Sequence, residues 1–195
     1  MKTILALFLS FFMLWPVAHA GEDRALKSGV FDPPRLAPDF VLAGSNGANI
    51  ELNDYRGKLV ALGFGFSHCP SVCPLTLANL AQVRKKLCAS ANELQVVYVT
   101  VDPERDTATR LQHYLANFDP AFVGATGTPE QLAAVRQAYG IAATKAAAAN
   151  DASNYTVHHS SYIYLIDREG RLRALVPFGK SVDDIVHDVK ILLQQ

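Results

Sequence analysis

Two long apolar runs constrain the fold of this chain more than any other feature. They are LVALGFGF (59–66) and LQVVYVTV (94–101), and each is typical of a strand that is covered on both faces. Helical patterns follow both runs, at residues 75–87 and 107–118. Strands that alternate with helices in this way predict a parallel sheet with helices packed against it.

The remaining segments predict an α/β protein with a thioredoxin-like fold. This is a central mixed β-sheet flanked by helices, with an N-terminal β-hairpin and an insertion before the last hairpin. The insertion is the alanine-rich segment 142–154, which has no apolar stripe and is expected to be mobile or hairpin-like. The other predicted elements are a hairpin at 39–44 and 49–52, a strand at 122–125, a helix at 128–139, a hairpin at 161–167 and 171–178, and a helix at 181–193 capped by Ser181.

The first 20 residues have the features of a secretory signal peptide. An apolar run at 4–14 is followed by small residues that predict cleavage after Ala20. A bilayer crossing needs roughly 20 apolar residues, so an uncleaved anchor with loose inner-membrane association is the less favoured alternative. We therefore expect an exported protein with a signal peptide at 1–20, an extended lead-in at 21–38 and one domain at 39–195.

The charge balance excludes one class of partner. Eighteen lysines and arginines face 18 aspartates and glutamates, and the sequence contains no basic run. Nucleic acid and anionic membrane surfaces attract proteins through such runs. The sequence therefore predicts no nucleic-acid partner.

The cysteines are the strongest candidates for chemistry. Cys69 and Cys73 lie where the first buried strand gives way to a helix, and Pro74 suits the first helical position. This places Cys73 at or near the helix N-cap, where the backbone N–H groups and the helix dipole favour thiolate over thiol. Cys88 is a third, unpaired cysteine and is expected to be a small buried hydrophobe.

The cysteine pair allows three interpretations, namely a structural disulfide, a redox couple or half of a metal site. A disulfide here would close only a short loop and would add little stability. The redox interpretation fits poorly, because the spacing is Cys-x-x-x-Cys and His68 stands where exported reductases have tryptophan. A peroxiredoxin-type site would need a threonine three residues before its cysteine, and neither Phe66 nor Pro70 supplies it.

A metal site would need a third ligand, and histidine is the available donor. His158 and His159 precede a predicted strand. In thioredoxin-like proteins the loop before this strand faces the cysteines and usually contains a proline. The corresponding segment here has histidines and no proline. Two thiolates and an imidazole suit copper(I). His68 is expected to contact the ligand residues rather than the metal. His113 and His187 lie in helical patterns and are expected to be surface or packing residues.

Four motifs resemble the Sco/SenC family of thioredoxin-like, copper-binding proteins. They are FGFSHCPSVCP (64–74), VTVDPERDT (99–107), GATGTPEQL (124–132) and HSSYIYLID (159–167). The resemblance implies a copper metallochaperone that assembles the dinuclear copper centre of cytochrome c oxidase, with its copper-site subunit as partner. In bacteria it implies a periplasmic location and another periplasmic copper chaperone as a further partner.

The resemblance also implies the ligands. It assigns Cys69, Cys73 and His159 to copper, as copper(I), copper(II) or both. His158 and Ser71 stand where the family has acidic residues. A thiol-disulfide oxidoreductase that uses Cys69 and Cys73 as its redox pair is the alternative function, and a copper or redox sensor is a third.

The DPERD motif (102–106) follows the second buried strand at the same edge of the expected sheet as the cysteines. One interpretation is functional, in which Asp102 shapes the copper-binding loop or contacts a partner protein. The other is structural, in which Asp102 and Pro103 form a turn. In the second case Asp106 would cap the next helix.

Overall fold

The computed structural model describes residues 25–148 and 151–195. Most of its strands form one mixed sheet with the order β1-β10-β9-β4-β5-β6-β2-β3, and β7 and β8 form a separate hairpin. The strands are β1 Gly29–Leu36, β2 Val41–Gly44, β3 Asn49–Glu51, β4 Leu59–Gly65, β5 Leu94–Thr100, β6 Val123–Thr126, β7 Ala143–Ala148, β8 Asp151–His159, β9 Tyr162–Ile166 and β10 Arg171–Pro177, and the helices are α1 Val72–Leu87, α2 Ala108–Ala116, α3 Pro129–Tyr139 and α4 Val182–Leu193.

The two apolar runs form the centre of the sheet. Strands β4 and β5 pair in parallel, β9 joins β4 in antiparallel orientation, and every residue of β4 is buried. Because the carboxyl ends of parallel strands meet at one edge of a sheet, the loops that follow β4 and β5 lie side by side. This edge holds the cysteine motif and the DPERD motif.

Helix α1 positions the cysteine motif on the sheet. Its apolar face buries Leu77, Leu80 and Val83, and burial of each such side chain contributes about 1.5–3 kcal/mol. Helix α4 packs against α1, and its N-cap is Ser181, whose side chain accepts a hydrogen bond from the Asp184 N–H. The predicted cap of α4 is therefore confirmed.

Most predicted elements are present, and the insertion forms a hairpin. Strands β7 and β8 pair in antiparallel orientation, with Ala143 opposite His159 and Thr144 opposite His158. The N-terminal hairpin β2–β3 and the capping box of α3, formed by Thr128 and Gln131, are also as predicted. The mixed α/β architecture is confirmed.

Several local predictions are wrong. Helix α1 begins at Val72 with Ser71 at its N-cap, so Pro74 is the third helical residue rather than the first. Thr107 caps α2 through its side chain, and not Asp106. The structure also leaves Cys88 exposed, because it follows the end of α1 and faces away from the core.

The lead-in segment contributes more than the predicted extended chain. Within it, β1 pairs with β10 and forms one edge of the sheet. Asp188 of α4 is fully buried and accepts hydrogen bonds from the Lys27 and Ser28 N–H groups, at 2.7 and 2.9 Å. This carboxylate fixes the start of the described chain to the last helix.

The predicted signal peptide and its cleavage site lie outside the described residues. Within residues 25–148 and 151–195, no helix combines the length and hydropathy that a bilayer crossing requires.

Candidate metal centre

The two cysteines of the motif lie at the junction of β4 and α1. Cys73 is the second residue of α1 and only 2% exposed, whereas Cys69 lies in the preceding loop and is partly exposed. Both are free thiols, and the Cys69 sulfur accepts a hydrogen bond from the Cys73 N–H at 3.4 Å. The pair therefore combines an accessible sulfur with a buried one.

His159 is brought to the buried sulfur from a distant part of the chain. It is the last residue of β8, and its Nε2 lies 3.4 Å from Cys73 Sγ. Its Nδ1 lies 2.9 Å from the Ser160 carbonyl oxygen and donates to it, which leaves the Nε2 lone pair directed at the sulfur. The ring also packs edge-on against Phe66, with centroids 5.8 Å apart. This is the orientation in which histidine binds metals.

His158 has a different environment. It is exposed, whereas His159 is partly buried. Successive side chains of a strand point to opposite faces, so the imidazole of His158 is turned away from Cys73. The structure thus separates two residues that the sequence left as competitors.

The three sulfur and nitrogen donors are near one another but do not yet surround a single point. In the part of the chain that the structure describes, no three His, Cys, Asp or Glu side chains form a ready metal cluster. Cys73 and His159 are already in contact, and Cys69 is held at the Cys73 backbone instead. Binding of an ion by all three would therefore require the three donor atoms to move toward a common point.

The pair Cys73 and His159 is uncharged in the metal-free site. Burial is the main cause that raises the pKa of the Cys73 thiol to about 12; the neighbouring Cys69 adds to this increase, whereas the nearby Tyr98 hydroxyl and the Phe66 backbone oppose it. Burial lowers the pKa of His159, so its imidazole is uncharged at neutral pH. The sequence predicted a lowered thiol pKa from the helix N-terminus; burial outweighs that effect at Cys73.

A buried carboxylate shapes the loop that contains Cys69. Asp106 is fully buried and accepts hydrogen bonds from the Ser67 N–H at 3.0 Å, the Ser67 hydroxyl at 2.5 Å and the Thr100 hydroxyl at 2.8 Å. Arg110 donates to the Ser67 hydroxyl and contacts His68 Nε2 at 3.3 Å. His68 therefore stands beside this network rather than at the Cys73 sulfur.

A second group of residues fastens the β7–β8 hairpin to the loop after β5. We call Asp102, Arg105 and Tyr155 the Tyr155 cluster. The Tyr155 hydroxyl donates to the buried Asp102 carboxylate at 2.6 Å, and the Arg105 guanidinium lies 3.7 Å from the Tyr155 ring centroid. Arg105 also donates to the Tyr155 carbonyl at 3.0 Å and forms an ion pair with Asp102. The cluster holds the strand that ends at His159.

Only part of this second group was visible in the sequence. The DPERD motif suggested that Asp102 shapes the copper loop, and the buried Asp102 contacts the hairpin rather than only setting a turn. Tyr155 was not identified, because its partners Arg105 and Asp102 lie 50 and 53 positions away in the sequence. His113 and His187 lie on α2 and α4, and His187 is beside Asp188.

Comparisons with known proteins agree on one family. The SCO1/SenC family model matches residues 30–194. The mitochondrial SCO2 homologue of Bos taurus is 36% identical over 182 residues, which is 90% of this chain and 68% of the relative. A SCO2-like protein of Rickettsia prowazekii is 34% identical over 172 residues, which is 86% of this chain and 84% of the relative.

Solved structures show the same fold. Copper-bound ScoI of Arabidopsis thaliana is 31% identical with a TM-score of 0.75, covering 82% of this chain and 99% of that one. Apo Sco1 of Thermus thermophilus is 32% identical with a TM-score of 0.78, covering 88% and 99%. The thioredoxin-like fold is therefore confirmed, and the chain belongs to the SCO1/SenC family.

Proposed function

We propose that this protein binds copper through Cys69, Cys73 and His159 and transfers it to another protein. The observation that carries the proposal is the contact between His159 Nε2 and Cys73 Sγ at 3.4 Å. It places an imidazole nitrogen with a free lone pair beside a thiol, and a second thiol is held at the adjacent backbone. Two sulfurs and one nitrogen form a soft donor set, which selects copper(I) over harder ions.

Related proteins of known structure support copper as the ion that is carried. Related structures from Arabidopsis thaliana and Bradyrhizobium japonicum, each 31% identical to this chain, were solved with copper bound. The family resemblance supports delivery to the copper-site subunit of cytochrome c oxidase, for assembly of its dinuclear centre. A further periplasmic copper chaperone would supply the ion. The signal-peptide pattern at 1–20 supports a periplasmic location after cleavage that follows Ala20.

The three ligands have different roles in binding the copper ion and in releasing it. The partly exposed Cys69 sulfur binds the incoming ion first, and the ion then moves inward to Cys73 and His159. Both thiols release their protons to solvent as they become ligands. Delivery reverses these steps by ligand exchange, in which thiolates of the acceptor replace Cys69 before the buried ligands. No bond in a substrate is made or broken.

A thiol-disulfide oxidoreductase is the second candidate, and the unequal burial of the thiols favours it. The Cys69 sulfur is accessible and can attack a disulfide of the acceptor to form a mixed disulfide, whereas Cys73 is only 2% exposed and suits the role of the thiol that resolves it. In this role Cys69 and Cys73 would keep the cysteines of the acceptor reduced. The two functions differ in their need for His159, because a reductase should retain most of its dithiol exchange in His159→Ala whereas a copper carrier should lose tight copper binding.

The test is an anaerobic copper(I) competition titration of the reduced protein. We expect one copper per chain, with affinity lost in Cys69→Ser and in Cys73→Ser. Cys88→Ser is the matched control, because Cys88 is exposed and distant from the motif along α1. Absence of binding in the wild-type protein, together with rapid reduction of an acceptor disulfide, would reject the copper carrier in favour of the reductase.

A further inference from the structure

The hydroxyl of Tyr98 is a buried polar group without a hydrogen-bond partner. Tyr98 lies within β5 and is 1% exposed. Its hydroxyl belongs to a small set of buried side-chain atoms in the described residues that make no hydrogen bond. A hydroxyl buried without a partner costs free energy, so its presence requires an explanation.

The hydroxyl adjoins the buried sulfur of the candidate site. Gly65 ends β4, and a Cβ at that position would lie 1.9 Å from the Tyr98 hydroxyl oxygen and 2.7 Å from Cys73 Sγ. Both atoms thus border one small space, which exists because residue 65 has no side chain. Cys73 is itself 2% exposed, so bulk water does not compete for either atom.

We propose that the Tyr98 hydroxyl donates a hydrogen bond to the Cys73 sulfur when that sulfur is negatively charged, as a thiolate or as a copper ligand. The inference rests on the proposed copper-binding function and deepens it. A neutral thiol is a weak acceptor, which explains why the hydroxyl is unpaired in the metal-free structure. A charged sulfur is a strong acceptor, and its hydrogen bonds are about twice as strong as neutral ones.

The hydroxyl can act in this way only as a donor. The ordinary pKa of a tyrosine is about 10, so the phenol carries its proton at neutral pH. The hydrogen bond therefore stabilises the charged states of Cys73 and leaves the neutral thiol unaided. Tyr98 is a positioning residue that acts through Cys73, and it favours the copper-bound protein over the metal-free one.

Tyr98→Phe tests this role, because it removes the hydroxyl and keeps the ring. We expect copper(I) affinity to fall about ten- to a hundredfold, as for the loss of one hydrogen bond to a charged group. We also expect the metal-free variant to be at least as stable as the wild-type protein, because an unpaired buried hydroxyl has been removed. In the copper(II) form, the sulfur-to-copper charge-transfer band should move to longer wavelength as the sulfur becomes richer in electrons.

Tyr139→Phe is the matched control. Its hydroxyl donates to the Pro38 carbonyl at 2.7 Å, so this buried tyrosine already has a partner. We expect the control to lose stability and to keep its copper affinity and its charge-transfer band. A purely structural role for Tyr98 would make the two variants behave alike.

A second measurement needs no metal. In protein oxidised to a Cys69–Cys73 disulfide, dithiothreitol thiolate attacks the Cys69 sulfur, the S–S bond breaks, and the electron pair leaves on the Cys73 sulfur. A hydroxyl that donates to this leaving thiolate accelerates the step. We therefore expect Tyr98→Phe to be reduced several times more slowly than the wild-type protein and than Tyr139→Phe.

The outcomes separate this inference from the proposed function. If the wild-type protein binds no copper, the proposed function fails and the rate of disulfide reduction alone decides the role of Tyr98. If the wild-type protein and Tyr98→Phe share the same copper affinity, spectrum and reduction rate, the inference is overturned and the copper carrier stands.

Discussion

His158 and His159 are neighbours in the sequence, yet strand β8 directs them to different environments. His159 places Nε2 3.4 Å from Cys73 Sγ, whereas His158 is exposed. The alternation of side chains along a strand separates them. A shift of one residue in the pairing of β7 with β8 would exchange their positions, so the register of this hairpin decides which imidazole can serve as a ligand.

The histidine pair gives the first prediction. We expect His159→Ala to weaken copper(I) binding at least about a hundredfold, since it removes one of three ligands, and we expect His158→Ala to change it less than about twofold. Competition with a copper(I) chelator measures both. The reverse ranking would assign the ligand to His158 and contradict the register seen here.

The second prediction concerns pH. The Cys73 thiol, with its pKa raised to about 12 by burial, is protonated throughout the neutral range and must lose this proton to bind copper. Affinity should therefore fall at least about tenfold for each unit of acidification, and each copper should release at least one proton.

Calorimetry in buffers of different ionisation enthalpy counts these protons. Because burial lowers the pKa of His159, its imidazole should add no proton release near pH 7.5. An affinity that does not change between pH 6.5 and pH 8.5 would show that Cys73 is not bound as a thiolate.

The third prediction concerns the Tyr155 cluster. Tyr155→Phe removes the hydrogen bond to the buried Asp102 carboxylate, which should lower the free energy of unfolding by about 1–3 kcal/mol. Because Tyr155 lies on the strand that ends at His159, we expect copper affinity to fall by about three- to tenfold. Denaturation and copper competition on the same preparation check both effects.

Lys145→Ala is the control for Tyr155. Lys145 lies on the same hairpin, pairs with Glu104 of the loop after β5 and lies 4.8 Å from the Tyr155 ring centroid, but both charged side chains are substantially exposed. Exposed pairs contribute little, so neither stability nor affinity should change measurably. Equal effects from the two variants would mean that the hairpin is not held mainly by Tyr155.

The fourth prediction concerns Asp106. Asp106→Ala would leave the Ser67 N–H and the Thr100 hydroxyl without their acceptor, and we expect a loss of about 3 kcal/mol of stability. Thr107→Ala removes only the cap of α2 and should cost about 1 kcal/mol. Urea denaturation separates the two values. A smaller loss for Asp106→Ala than for Thr107→Ala would show that Asp106 does not hold the loop that contains Cys69.

The sequence predicted the sheet and the candidate ligands because both depend on strong local patterns. Two apolar runs identified β4 and β5, and the spacing of Cys69 and Cys73 after β4 marked the site. Contacts between distant segments were not visible in this way. The approach of Tyr98 to Cys73 depends on the absence of a side chain at Gly65, and Tyr155 reaches Asp102 only after the hairpin has folded.

Local rules also failed where tertiary burial competes with them. The helix N-terminus predicted an acidic thiol at Cys73, but nearly complete burial raises its pKa instead. Asp106 has the residue type of a cap, but it accepts hydrogen bonds from two other segments, and Thr107 takes the cap. In both cases the outcome depends on residues that the fold brings close, and these contacts cannot be inferred from the local sequence.

X-ray absorption spectroscopy of the copper(I)-loaded protein tests the central claim most directly, because it counts the atoms bound to the metal. We expect two sulfurs and one imidazole nitrogen in the wild-type protein, with the nitrogen lost in His159→Ala and kept in His158→Ala. A spectrum with two sulfurs and no imidazole in the wild-type protein would contradict the account.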